Sequence, residues 1–352
     1  MQVGIPREIK VKEGRVGLIP AACATLVDAG HEVFVEHDAG LLSGYPDEMF
    51  QAVGVNILPD AGALYEKAKL IVKVKEPIAP ELDLLQAHHL LFSYLHLAAE
   101  PALTEKLLAI GLTGVAFETV QAGGGLPLLA PMSNIAGRIA AQVGSHLLYQ
   151  PLDGKGLLLG GVPGAERGKV VVIGAGVAGG NAAVVAANLG AQVTVFDKNL
   201  SKLEQMRALG HNVTGLYPYP TALTDAVCEA DLVIGAVLVT GARAPHVVDR
   251  KTVQQMSQGS VIADISVDQG GCIETTRPTT YADPTYLDEG VVHFCVTNMP
   301  GAVPKTASQA LSASLIPYVL RIAQADWRND SVLQTGINVE AGKLVHPALL
   351  NI

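Results

Sequence analysis

The chain reads as an α/β protein of two doubly wound, largely parallel sheets with an interdomain cleft, the first domain being discontinuous. Three observations carry that expectation. At 352 residues the chain is long for one domain and suits two. It is 49% hydrophobic and only 16% charged, as strands buried on both faces of a parallel sheet require. Short apolar, β-branched runs alternate with helix-length segments along most of its length, the pattern of repeated βα units.

The first array begins with a strand at residues 2–5. Residues 20–29 form a helix, with Pro20 at its start and Gly30 just past its end. Strands follow at 32–36, 55–58, 70–74, 89–94 and 113–117, and helices at 47–53, 61–67, 81–87 and 101–110. Residues 121–127 hold three successive glycines and a proline and form a loop. A long helix is expected over 133–149, with Ser133 or Asn134 as its cap. A glycine-rich loop, 154–168, leads to the second array. Its strands fall at 170–173, 192–196, 212–214, 232–236, 261–265 and 292–296, with helices in the gaps. Another long helix covers 306–325. The two long helices bracket the second array and return the tail to the first. Residues 1–128 with 307–352 are therefore expected as one domain, and 129–306 as the other.

The segment V-V-V-I-G-A-G-V-A-G-G-N-A-A opens the second array. Gly174, Gly176 and Gly179 have G-x-G-x-x-G spacing between a predicted strand and a predicted helix. In a Rossmann-like unit the first glycine makes the tight turn, the second admits a pyrophosphate, and the third lets helix and strand pack closely. The helix start offers N–H groups and a positive dipole end to phosphate. Asp197 ends the next strand, about 20 residues on, where an acid accepts ribose hydroxyls and repels a 2′-phosphate. The expected cofactor is NAD.

Composition narrows the function further. A net charge of −9 without a basic cluster argues against nucleic acid. Four scattered cysteines, Cys23, Cys228, Cys272 and Cys295, form no C-x-x-C pair and fit a reduced compartment. Neither a signal-peptide core nor a membrane-length apolar run is present, so a soluble cytoplasmic protein is expected. No metal site is indicated.

Ligands of doubly wound sheets bind beyond the carboxyl ends of the strands, and five stretches carry polar residues there. Arg15, in E-G-R-V-G, can clamp a carboxylate, although alone it reads as a solvated surface arginine. Lys73 and Lys75 close a strand, and a two-residue period places both on one face; a lysine there can hold a carbonyl or carboxylate oxygen. His96 follows a strand and can exchange the proton that accompanies hydride transfer. His88 and His89 open that strand, at the wrong end. Asp268 begins the loop before Gly270 and can orient a catalytic imidazole or a lysine; Asp264 is the alternative, more easily tied down within the sheet. Asn298 follows the last strand and can bond a carboxamide or the substrate.

Several stretches, in order, resemble the bacterial alanine dehydrogenase family: V-G-I-P-R-E, E-G-R-V, K-V-K-E-P, L-H-L-A, A-P-M-S, the G-A-G-V-A-G turn, A-D-L-V-I-G-A-V-L, D-Q-G-G-C, R-P-T-T-Y and N-M-P-G. The resemblance covers nearly the whole chain. It implies NAD-dependent interconversion of L-alanine with pyruvate and ammonia, usually by a homohexamer. It implies that Arg15 and Lys75 bind the substrate, with His96 as general acid/base and Asp268 supporting proton transfer. The dinucleotide site it implies comprises Ser133, Gly174, Ala175, Gly176, Val177, Gly179, Asp197, Lys202, Val237, Leu238, Ile265, Asp268, Val296, Asn298 and Met299. The stretch L-Y-P-Y-P at 216–220 departs from the family near the adenine. Rival readings are a lysine-forming saccharopine dehydrogenase, the NAD-binding part of a proton-translocating transhydrogenase, and a redox sensor without turnover. No second carboxylate clamp supports the first; L-H-L-A and D-Q-G-G-C argue against the second.

Overall fold

The computed structural model describes residues 1–238 and 244–350. The chain divides into two compact units, Met1–Met132 with Val303–Ile352 (unit 1) and Ser133–Ala302 (unit 2). The divisions fall at the starts of two long helices, Ala130–Leu147 and Pro304–Ile322.

Unit 1 contains β1 (Gln2–Ile5), β2 (Glu32–Glu36), β3 (Asn56–Leu58), β4 (Leu70–Val72), β5 (Leu90–Ser93) and β6 (Thr113–Ala116). Unit 2 contains β7 (Lys169–Ile173), β8 (Gln192–Phe196), β9 (Val213–Leu216), β10 (Leu232–Gly235), β11 (Val261–Asp264), β12 (Thr285–Asp288) and β13 (Val291–Phe294). The tail adds β14 (Ile337–Glu340) and β15 (Lys343–Leu344) to the sheet of unit 1.

The strand orders are β15-β14-β6-β5-β4-β1-β2-β3 and β12-β13-β11-β10-β7-β8-β9. In unit 1 the pairs among β1–β6 are parallel; β14 runs antiparallel to both β6 and β15. In unit 2 every pair is parallel except β12 with β13. Both arrays therefore reverse direction beside their first strand, between β1 and β4 and between β7 and β10. In open α/β sheets that reversal opens the ligand crevice at the carboxyl ends.

The central strands are buried on both faces, as their unbroken apolar sequences require. In unit 1 Ile71 and Leu91 pack with Leu64, Tyr65 and Leu107 from the flanking helices. In unit 2 Val171, Val233 and Ile262 pack with Val227 and Val253. Each such side chain contributes about 1.5–3 kcal/mol when fully buried.

Three expectations shift. The first long helix starts at Ala130 rather than Ser133. Pro131 suits a first helical turn because it has no N–H to leave unpaired, and the Asn134 amide oxygen accepts from Arg138 Nε at 2.9 Å instead of capping. β4 stops at Val72, because the N–H groups of Val74 and Lys75 turn to the Glu8 carboxylate. The antiparallel strands β12, β14 and β15 lie where the sequence shows no strand run.

Candidate active site

In unit 2 most of the residues expected around a dinucleotide follow the carboxyl ends of the strands. Gly174 follows β7 with φ +102°, a conformation open to glycine; a Cβ there would lie 2.5 Å from the Ala236 carbonyl oxygen. A Cβ on Gly179 would lie 1.8 Å from the Gly174 carbonyl oxygen, so the helix Val177–Asn188 approaches the turn as closely as backbone allows. A Cβ on Gly176 would meet no atom within 4 Å. That open space, over a helix start without a side-chain cap, fits the approach of a phosphate. Ala175 is buried and Val177 is exposed.

Asp197 follows β8. Its Oδ2 accepts from Ala175 N–H at 2.7 Å and its Oδ1 from Asn199 N–H at 2.8 Å. The acid thus ties the glycine turn to the second strand, and each oxygen retains acceptor capacity. Lys202 is exposed in the helix Leu200–Arg207, and its N–H donates to the capping Asn199. Val237 and exposed Leu238 follow β10. Ile265 and exposed Asp268 lie in one 3-10 turn after β11. Buried Val296, half-buried Asn298 and buried Met299 follow β13. Ser133 lies inside the first long helix rather than at a strand end. Tyr217 and Tyr219, after β9, are exposed with ring centroids 4.9 Å apart.

Asp264, the alternative to Asp268, is fully buried. It accepts from the N–H groups of Ser266 and Cys272, both at 2.9 Å, and from the Thr276 hydroxyl at 2.8 Å. These bonds assign it to fastening the loop. Burial raises its carboxyl pKa, against those donors.

In unit 1 the carboxyl edge of its own sheet carries polar and charged side chains. Arg15, in the loop after β1, is only 3% exposed, which overturns the reading of it as a solvated surface residue. Its Nε and Nη2 each donate to Glu13 at 2.6 Å in a two-pronged ion pair, and Nη1 lies 3.1 Å from Met132 Sδ. Burial pulls the guanidinium down, but Glu13 outweighs it and holds Arg15 above its ordinary value. The loop itself is fastened from both sides. Val16 N–H and Ile19 N–H donate to the hydroxyls of Ser308 and Ser312, one turn apart on the helix Pro304–Ile322, and the Ser43 hydroxyl donates to the Gly14 carbonyl.

After β4 the two lysines separate. Lys73 is buried, with its Nζ 2.9 Å from Glu81, 3.3 Å from Glu8 and 3.0 Å from the Lys75 carbonyl oxygen. The bend after Val72 breaks the two-residue period, so the same-face expectation fails and Lys73 is structural. Lys75 is half-buried. Burial pulls its ammonium below the ordinary lysine range against the opposing charge of Glu76, and Arg15 and Lys10 add to the lowering. Glu76 is ion-paired with Lys10. Burial raises its carboxyl, but Lys75, Lys10 and His96 hold it below its ordinary value. Arg15, Lys75 and His96 thus belong to one electrostatic neighbourhood.

His96 lies just beyond β5, half-buried, with φ +50°. Its N–H donates to Glu118 Oε1 at 2.7 Å, and Leu95 N–H reaches the same carboxylate at 3.2 and 3.3 Å. The His96 ring stacks on Tyr94, 5.8 Å between centroids and 11° between planes. Tyr94 is held by a 2.6 Å bond from its hydroxyl to the Leu128 carbonyl oxygen. His89, by contrast, spends both ring nitrogens on backbone, Nδ1 accepting from Gln86 N–H and Nε2 donating to the Tyr65 carbonyl. Sequence reasoning missed Glu8, Glu13, Glu76 and Glu118. Only Glu13 and Glu76 sit within motifs near the residues they serve.

Residues 4–136 match the family described as "Alanine dehydrogenase/PNT, N-terminal domain", and residues 140–347 match its C-terminal domain. The chain belongs to the alanine dehydrogenase/PNT family. It is 48% identical over 356 residues to an alanine dehydrogenase of Halomonas elongata, covering 99% of this chain and 96% of the relative. It is 46% identical over 355 residues to one of Bacillus subtilis, covering 99% and 94%. Among solved structures it is similar to an L-alanine dehydrogenase, with TM-score 0.94 and 50% identity over 99% of this chain and 98% of the other. It is also similar to a transhydrogenase from Sinorhizobium meliloti, with TM-score 0.84 and 25% identity over 98% and 99%. The chain is thus similar both to proteins named for the expected activity and, at lower identity, to one named for a rival reading. No helix among the described residues is long and apolar enough to cross a membrane.

Proposed function

We propose that the protein is an NAD-dependent alanine dehydrogenase, converting L-alanine, NAD and water to pyruvate, ammonia and NADH, and the reverse. The observation that carries this reading is the joint neighbourhood of Arg15, Lys75 and His96 in a chain so similar to alanine dehydrogenases. Residues 1–128 with 307–352 form the substrate domain in this reading, and 129–306 the dinucleotide domain.

The glycine turn and the start of the helix Val177–Asn188 hold the pyrophosphate. Ser133, Lys202, Val237, Leu238, Ile265, Val296 and Met299 line the rest of the cofactor's path. Asp197 accepts the ribose hydroxyls, and its charge disfavours a 2′-phosphate, which selects NAD over NADP. When bound, the dinucleotide would supply the hydride acceptor for deamination and the hydride donor for the reverse reaction. Arg15 and Lys75 supply positive charge to the substrate carboxylate and to the oxygen that becomes the keto group. Neutral His96 takes the proton released on deamination and gives it back in the reverse direction. Asp268 supports proton transfer while water adds and ammonia leaves, and Asn298 orients the substrate or the carboxamide. The resemblance further points to a homohexamer, and the sequence reading to a cytoplasmic one.

The test is absorbance at the NADH band when the protein is mixed with NAD and L-alanine at alkaline pH. NADH formation with alanine is expected. No signal with alanine, together with a signal from saccharopine or only with an added partner subunit, would overturn the reading.

A further inference from the structure

We propose that Glu118 is a positioning residue that holds the His96 imidazole in its working orientation through the backbone. The inference rests on the reading of His96 as the general acid/base and adds a residue that acts on it.

Three observations support the assignment. His96 has φ +50°, a region that side-chain-bearing residues seldom occupy. Such conformations persist when the surroundings over-determine them, and they cluster at active sites. Two contacts hold this backbone: the Ala99 N–H donates to the His96 carbonyl at 2.9 Å, and one carboxylate takes the N–H of His96 itself. Glu118, in the short turn Phe117–Thr119 after β6, accepts from the N–H of His96 at 2.7 Å and from the N–H of Leu95 at 3.2 Å. Nothing about the dihedral directs the ring by itself, so the third observation matters: the imidazole lies flat on Tyr94, 11° from parallel. Tyr94 is fixed by its bond to Leu128 and by edge contact with the Phe117 ring, 5.0 Å between centroids. Glu118 sets where the Cα–Cβ bond points, and Tyr94 sets the plane of the ring.

The same device appears one strand away. Glu8 accepts from the N–H groups of Val74 and Lys75 in the bend after β4. A carboxylate thus anchors the backbone of the loop that carries Lys75 and the loop that carries His96. Without Glu118 the His96 backbone relaxes toward the ordinary region, and the ring swings away. Displacements near 1 Å at a reacting group cost about 100-fold in rate.

The experiment compares wild type with Glu118→Ala, Glu118→Gln and His96→Ala. It measures kcat, the KM for L-alanine, NAD affinity, melting temperature and amide hydrogen exchange at Leu95 and His96. Glu118→Ala is expected to lower kcat about 100-fold, to leave the alanine KM and NAD affinity within a few-fold, and to speed exchange at both amides. Glu118→Gln keeps an acceptor for His96 N–H and should recover at least a tenth of the wild-type kcat. Unchanged kcat in Glu118→Ala, a parallel collapse of NAD affinity and melting temperature, or a glutamine variant no better than alanine would each overturn the proposal. If Glu118→Ala does not fold, Glu118→Gln decides. Faster Leu95 exchange with a several-fold lower kcat and unmoved KM supports the proposal; wild-type values of both overturn it. Near-normal turnover by His96→Ala would instead overturn the acid/base reading itself. An inactive His96→Ala beside a fully active Glu118→Ala would sink only the positioning role.

Discussion

The two sheets share a strand order around their first strand, yet their crevices are furnished differently. After β7 the chain offers backbone: Gly174, Gly176 and Gly179 strip side chains from the turn, and Asp197 ties it to β8. After β1, β4 and β5 the chain offers polar side chains: the charged Arg15 and Lys75 and the imidazole of His96, each in a loop held by a carboxylate. The difference follows from the proposed ligands. A pyrophosphate is large and can be met by N–H groups and a helix dipole, so removing side chains is the main requirement. A small amino acid or keto acid offers few atoms, so it must be met by fixed charges. Burying those charges needs partners, which accounts for Glu13 beside Arg15 and Glu76 beside Lys75; Glu8 and Glu118 instead fasten the backbone of the loops that carry Lys75 and His96.

If the charged crevice depends on those partners, it should be fragile where the glycine crevice is not. Arg15→Ala leaves the fully buried Glu13 carboxylate without its two-pronged partner. Removing one member of such a pair costs about 3–5 kcal/mol. Denaturant unfolding should show that loss, and an unchanged midpoint would break the comparison.

The glycine crevice should fail in a different way. Gly179→Ala drives a Cβ into the Gly174 carbonyl, which should cost about 1–3 kcal/mol by overpacking along with NAD binding. Gly176→Ala meets nothing, so its melting temperature should hold while NAD affinity falls about tenfold, the equivalent of 1.4 kcal/mol. Calorimetric titration of NAD beside thermal melts separates the two. Equal stability losses in both variants would mean that the space over Gly176 serves packing, not a ligand.

This asymmetry also explains what the sequence could reveal. The glycine turn is local, so its spacing and flanking runs were readable at once. Because βα alternation marks strand ends, where ligands bind, Arg15, Lys73, Lys75 and His96 stand out as candidates, and the family resemblance singles out Arg15, Lys75 and His96 among them. Their partners were not readable: Ser308 meets the Arg15 loop across 292 positions, and Glu8 meets Val74 across 66. Lys73 and Lys75 looked equivalent until the bend after Val72 sent Lys73 to Glu8 and Glu81. Edge strands such as β14 owe their place to pairing with a distant strand, which no short pattern records.

The division of labour between the crevices is tested most directly by measuring pyruvate and NAD affinities of the wild type across alkaline pH. Burial first, with Arg15 and Lys10 adding to it, lowers the Lys75 pKa. Below that pKa the ammonium is charged and binds the carboxylate; above it the charge is lost. Pyruvate affinity, measured with dinucleotide bound, should therefore fall as pH rises through a point below the ordinary lysine range, by several-fold. NAD affinity should stay flat across the same interval, and Lys75→Met should abolish the pyruvate limb. An NAD affinity that follows the same titration, or a limb that survives in Lys75→Met, would contradict the account.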